Sequence, residues 1–262
     1  MTPIRNSLKP GLLRRSGTLC VLAFSLLLGA CASLPGEGLT RIDPWETYNR
    51  QVFEVNEAVD RVAIKPIAET YRAVVPKLVR TGVTNFFRNL ADYWTSANLM
   101  LQFKPRQSLE MGMRALVNTT LGLGGVMDFA EQAGLERFTV EDFGQTLGYW
   151  GLRSGPFLML PVLGPSTVRD TFGLTLDFKE SGFNLIWPGA RERYAATALQ
   201  LINSRVLLLG ASNLLDEIAL DKYVLLRDAY LAQRRSLIYD GDPPDDESAP
   251  APFNDLIKSD GK

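Results

Sequence analysis

The stretch "DPWETYNRQVFEVNEAVDRVAIKPIAETYR", Asp43–Arg72, decides the fold. Trp45, Tyr48, Val52, Val55, Val59 and Val62 recur at spacings of three and four, which places them on one stripe of an α-helix. Glu46/Arg50 and Glu57/Arg61 form favourable i,i+4 pairs away from that stripe. Asp43 reads as a helix cap, Pro44 as the first-turn residue and Glu46 as the carboxylate that reaches back to the cap. A chain that opens this way is built from amphipathic helices.

The same grammar continues outward. Pro66 starts a helix to Val75 carrying Ile67, Tyr71 and Val74, and Pro76 starts another to Leu90. Asp92 reads as the cap of a further helix, Tyr93–Phe103 ("YWTSANLMLQF"), which carries no charge. A helix apolar on most sides is buried or faces lipid, and this one is too short to span a bilayer, which takes roughly 20 residues. Later helices are predicted at Pro105–Thr119, Thr139–Trp150, Pro165–Leu174, Ala190–Leu209, Ser212–Leu220 and Asp221–Ile238. Strand signals are scarce. "SGPFLMLPVLGPS", Ser154–Ser166, is broken by prolines and glycines and reads as an apolar hairpin or loop.

The two ends differ from this body. Arg5, Lys9, Arg14 and Arg15 precede an apolar run, Thr18–Leu28, then the small residues Gly29 and Ala30: the layout of a secretory signal segment. Leu28-Gly29-Ala30-Cys31 resembles the lipobox of bacterial lipoproteins. The resemblance implies cleavage before Cys31 and acylation of its sulfur and new amino group. Ala32, in place of Asp, implies sorting to the outer membrane. One acyl chain holds a protein only reversibly, at ~0.8 kcal/mol per buried CH₂, whereas several make attachment durable. Residues 1–30 are therefore expected to be a signal peptide, 31–41 a linker and 42–239 a helical domain. Residues 240–262, acidic and proline-rich, are expected to be a disordered tail.

Composition narrows the chemistry. The 262 residues contain no histidine and two cysteines, with a formal net charge of −1. The lack of histidine excludes Ser-His-Asp and Cys-His nucleophile activation and histidine-ligated zinc. Neither a G-x-S-x-G nor a P-loop occurs. In "LGLGGVM" (121–127) Met127 stands where a dinucleotide fingerprint needs its third glycine, and the preceding segment reads as helix rather than strand. Glu141-Asp142 is an adjacent carboxylate pair, but neighbours on a helix do not face one another, so a charge at a helix N-terminus is the expected role. No basic cluster suggests a nucleic-acid partner. The expectation is a protein that is not an enzyme and carries no metal or cofactor.

Several long blocks resemble the MlaA/VacJ family of outer-membrane lipoproteins. They are Asp43–Arg72, "VTNFFRNL" (83–90), "GMRALVNTTLGLGGVMDFA" (112–130), "EDFGQTLGYWGLRSGPFLMLPVLGPSTVRD" (141–170) and "DKYVLLRDAYLAQRR" (221–235). The resemblance implies an all-α, ring- or disc-like bundle of amphipathic helices embedded in the outer membrane of a Gram-negative cell. It would surround a channel closed on one side by an apolar hairpin. It implies removal of mislocalised phospholipid from the outer leaflet and delivery to a periplasmic, MlaC-like carrier, with association to a trimeric porin in enterobacterial members. On this chain, Asn85, Phe86 and Phe87 match a block near the channel, and Phe157, Leu160, Gly164 and Pro165 match the hairpin gate. The hairpin tip and the tail depart from the enterobacterial pattern. A structural or scaffolding lipoprotein that binds porins is the alternative function.

Overall fold

The computed structural model describes residues 42–180, 186, 187 and 189–244. The residues expected to form the signal segment, Cys31, the expected linker and most of the expected acidic tail lie outside the described residues. Nine α-helices and one hairpin are described, in the order α1 Glu46–Val59, α2 Lys65–Val74, α3 Lys77–Leu101, α4 Pro105–Thr120, α5 Phe129–Gln132, α6 Phe143–Tyr149, β1 Phe157–Leu160, β2 Gly164–Thr167, α7 Val168–Glu180, α8 Ala190–Ile218 and α9 Lys222–Ile238. The architecture is all-α apart from that hairpin.

Helices begin and end largely where capping chemistry puts them. Asp142 accepts from the Gln145 amide at 2.8 Å and starts α6. Asp221 accepts from the Val224 amide at 3.1 Å and starts α9. Pro105 occupies the first turn of α4. A single π-turn, Asp60–Ile64, joins α1 to α2 without a break in direction of the chain's helical hydrogen bonding.

The structure corrects the following expectations. Asp43 does not cap α1: Trp45 occupies that position without a side-chain cap bond, and Asp43 is drawn into the interior by Asn49, Tyr223 and Arg227. Asp92 caps nothing. The two helices expected at Pro76–Leu90 and Tyr93–Phe103 are one 25-residue helix, α3, and Asp92 lies inside it, opposite Arg114 and Arg137. Pro165 starts no helix; it lies in β2, paired with Met159, and α7 begins three residues later. The helices expected at Ala190–Leu209 and Ser212–Leu220 are one helix, α8, because Gly210 sits in open space and costs too little to end it. The helix expected at Thr139–Trp150 is confined to α6.

Packing follows from short connections. α3 and α4 form an antiparallel pair, α8 lies against α2 and α3, and α6 packs on α7. The α6/α7 contact is close because Gly173 meets Gly144 backbone; a Cβ at Gly173 would come within 2.5 Å of the Gly144 nitrogen. β1 leans on α1, and β2 on α7 and α9. Phe157, Met159 and Tyr223 form a buried cluster flanked by Val52, Phe53, Leu226 and Tyr230.

Compared with an ordinary soluble bundle, the inside is unusually polar and the outside unusually apolar. Along α3 and its end, Asn89, Asp92, Thr95, Asn98 and Gln102 are buried, while Tyr93, Met100, Leu101 and Phe103 are exposed. α4 repeats this, with Ser108, Arg114 and Asn118 inside and Leu109, Met113 and Leu116 outside. Most of the apolar stripe of α1 also points outward, with Val55 58% exposed and Tyr48 49%, although Val52 packs on the buried cluster. Among the described residues, buried polar and charged side chains outnumber buried hydrophobic ones. No described helix is long and apolar enough to cross a membrane.

Candidate functional site

The hairpin is the irregular element that the helices organise. β1 and β2 pair antiparallel from Phe157↔Thr167 to Leu160↔Gly164. Phe157 and Met159 point into the core, whereas Val162 and Leu163 at the tip are exposed. One edge of β1 has no strand partner, so its polar groups need other partners. α1 supplies them from two asparagines. Asn49 Nδ2 donates to the Phe157 carbonyl at 3.2 Å, and Asn49 Oδ1 accepts from the Met159 amide at 2.8 Å. Asn56, two helical turns on, repeats the pattern: it donates to the Leu160 carbonyl at 2.9 Å and accepts from the Val162 amide at 2.8 Å.

Charge is buried around the hairpin root. Asp43 accepts from Asn49 at 2.8 Å and from the Tyr223 hydroxyl, with Arg227 at 3.5 Å. Burial, and then the bond to Asp43, push the Tyr223 phenol above its usual range, so it stays a donor. On the other side Asp170 receives Arg169 at 2.7 Å, Arg234 at 2.9 Å and Tyr230 at 2.9 Å. Arg234 also holds Asp142, tying α9 to α6 and α7. Between α3 and α4, Arg114 and Arg137 share Asp92 and Asp128.

Two cavities flank these groups. One, of about 200 Å³, is lined by Phe53, Asn56, Met159, Val162, Gly164 and Arg205 among others, with Asp60 of the π-turn gripping Arg205 through both carboxylate oxygens at 2.7 Å. The other, of about 280 Å³, lies between Leu99, Phe138, Glu141 and Leu237. Its Glu141 accepts from Gln102 at 2.9 Å, and burial raises the Glu141 carboxyl above the ordinary range despite that bond. Among the described residues, no group of Cys, Asp or Glu is arranged to hold a metal ion.

The residues singled out in the sequence fall into two groups. Asn85 donates to the Val126 carbonyl at 3.1 Å, and Phe86 meets Phe87 and Trp187 edge-on while Phe87 lies tilted against Trp187. Phe157, Leu160, Gly164 and Pro165 lie together on the hairpin, with Phe157 wholly buried against Tyr223 and Tyr230. Gly164 has φ +86° and closes the turn, a conformation that glycine adopts without a Cβ clash. Of the hairpin set, Gly164 lines the 200 Å³ cavity. Asn49, Asn56 and the Asp60–Arg205 pair were missed, and Asp43 was read only as a cap. The one available signal was two asparagines, poor helix formers, in the middle of a strong helix and on one side of it.

The MlaA lipoprotein family model matches residues 41–237. This chain belongs to that family. It is 35% identical over 246 residues to the intermembrane phospholipid transport system lipoprotein MlaA of Escherichia coli (strain K12), covering 90% of this chain and 94% of that protein. The MlaA of Haemophilus influenzae is 28% identical over 203 residues, covering 77% and 81%. A solved structure reported as the structural basis for maintenance of bacterial outer membrane lipid asymmetry superposes with a TM-score of 0.65 at 30% identity, covering 76% of this chain and all of that one. The MlaA match takes in the hairpin, both asparagines and all three buried ionic groups.

Proposed function

We propose that this chain is a lipid-anchored outer-membrane component of intermembrane phospholipid transport. In this reading it takes mislocalised phospholipid out of the outer leaflet and passes it to a periplasmic, MlaC-like carrier, which maintains lipid asymmetry. The unusually polar interior beneath an apolar exterior is the observation that carries the reading. Polar groups satisfied inside and apolar side chains displayed outside suit a body seated among lipid tails, where an exposed Leu109 or Met113 costs nothing and an outward Asn or Asp is expensive. Cys31 would add the covalent anchor. Drawing a phospholipid tail into water costs ~0.8 kcal/mol per CH₂, so its carrier must shield it. The apolar hairpin and the cavity beside it provide a shielded surface with polar groups at hand.

Passage through such a body is passive, so direction comes from the partners: the carrier, and in some settings a trimeric porin. Asn85, Phe86 and Phe87 are assigned to the lipid path on α3, and Phe157, Leu160, Gly164 and Pro165 to its hairpin. The test is a strain lacking its own copy of this protein, complemented with the full chain, in which outer-leaflet phospholipid is measured. Restoration of asymmetry, with phospholipid co-purifying with the protein, is the expected result. A chain that reaches the outer membrane, binds no phospholipid and leaves asymmetry unrestored would overturn the reading in favour of a scaffold.

A further inference from the structure

The two asparagine clasps are chemically alike but differently placed. Seven helical residues rise ~10.5 Å, and three residues of extended strand cover ~10 Å. Asn49 and Asn56 therefore reach successive carbonyl/amide pairs of the hairpin, Phe157/Met159 within β1 and Leu160/Val162 where β1 ends in the turn. Asn49 is completely buried and is itself fixed by Asp43. Asn56 is only partly buried, and it opens onto the cavity that Val162 and Gly164 also line.

The backbone that Asn56 holds is strained. Val162 has φ +66°, and the Leu163 amide bonds the Pro161 carbonyl at 2.8 Å, which closes a γ-turn of the uncommon positive-φ kind. A β-branched residue avoids that region. Strained backbone of this sort persists only where its surroundings over-determine it. The outer surroundings here are thin: Val162 and Leu163 are more than half exposed. The side chain that fixes the turn is Asn56.

We propose that Asn56 is a latch for the hairpin tip, while Asn49 is the fixed mount of the hairpin root. With the latch made, Val162 stands at the wall of the cavity. With it released, the γ-turn relaxes, the tip leaves that wall and the cavity opens on the hairpin side. Asn56 is a positioning residue, and its functional half rests on the transport reading above.

The experiment uses the full, acylated chain held in an amphipathic polymer. Cys31 is blocked by its lipid and Cys20 leaves with the signal segment, so cysteines introduced at Leu163 and Glu69 take spin labels selectively. The distance between them should be narrowly distributed in the parent and broad in Asn56→Ala. Adding Val162→Gly to Asn56→Ala should narrow it again, because glycine holds positive φ without help. In parallel, a fluorescent phospholipid loaded onto the protein should pass to acceptor vesicles about tenfold faster from Asn56→Ala, the order expected for losing hydrogen bonds of ordinary net strength. The double variant should return towards the parent. Asn56→Asp, which still accepts from Val162 but cannot donate to Leu160, should lie between, and it serves if Asn56→Ala does not fold. A distribution in Asn56→Ala as narrow as in the parent would overturn the latch. A broadened distribution with unchanged lipid release would overturn its role in lipid passage and leave the transport reading standing. A parent that holds no phospholipid would instead sink the transport reading, and the latch would then stand or fall on the distances alone.

Discussion

Arg234 lies 2.9 Å from Asp170 and grips Asp142 with the same guanidinium, so one side chain of α9 joins two other helices. Both members of the Arg234–Asp170 pair are nearly out of solvent. Removing one partner of such a pair leaves an uncompensated buried charge. Arg234→Met should lower the unfolding free energy in detergent by about 3 kcal/mol, read as a shift in the guanidinium midpoint. Burial raises the Asp170 carboxyl, but Arg234 and Arg169 outweigh it and hold it below the usual carboxylate range. Its contribution to stability is therefore complete above the unfolded value of about 3.9, and it is lost as pH falls through the depressed folded value. Arg234→Met should show a flatter acid limb than the parent. An unchanged limb would mean that Arg169 alone sets Asp170.

Asp92 is wholly buried inside α3, 3.1 Å from Arg137 and 3.7 Å from Arg114. Asp92→Ala leaves two guanidiniums to share Asp128. A loss of about 3–5 kcal/mol is expected, with Asp92→Asn in between, by the same denaturant titration.

The glycine run 122–125 reads from the sequence as a failed nucleotide motif and is a turn in the structure. Gly125 has φ +94°, and a Cβ there would stand 2.6 Å from the Asn89 side chain. Gly125→Ala should destabilise by about 2 kcal/mol from strain and overlap together. Gly124→Ala, at positive φ but in open space, should cost about half as much. Equal costs would show that the contact with Asn89 contributes nothing.

The helices were legible where a proline or a capping carboxylate marks them, as at Pro105 and Asp221. Asp92 was misread because a carboxylate ahead of a charge-free run looks like a cap; its partners Arg114 and Arg137 are distant in the chain and visible only in three dimensions. Pro165 was misread because a proline fits an edge strand as well as a first helical turn. The direction of each face was beyond reach for a simpler reason. Periodicity identifies a stripe, and a stripe of valines on α1 has the same spacing whether it faces a core or a membrane. The clasps were hidden for a related reason: Asn49 and Asn56 act on strand backbone more than a hundred residues away.

That ambiguity gives a sharp contrast between outward and inward positions. Leu109→Glu and Met113→Glu alter exposed side chains of α4. On an ordinary water-facing surface they would be nearly neutral, within about 0.5 kcal/mol. Here both together should leave helicity and detergent-state stability intact while abolishing insertion into vesicles. Asn98→Leu, at a completely buried position, should do the reverse: it removes a partner of Thr146 and lowers stability without harming insertion. The checks are circular dichroism and flotation with vesicles.

The central claim is that the helical body itself, and not only the acyl anchor proposed at Cys31, belongs in the membrane. The direct measurement is flotation of the Cys31→Ser chain, produced without its signal segment, with vesicles of outer-membrane phospholipid at high salt. If the outward faces of α1, α3 and α4 are lipid-facing, most of the protein should float with the vesicles and resist extraction by carbonate. A folded Cys31→Ser chain that stays in the aqueous fraction, monomeric and stable, would contradict the account.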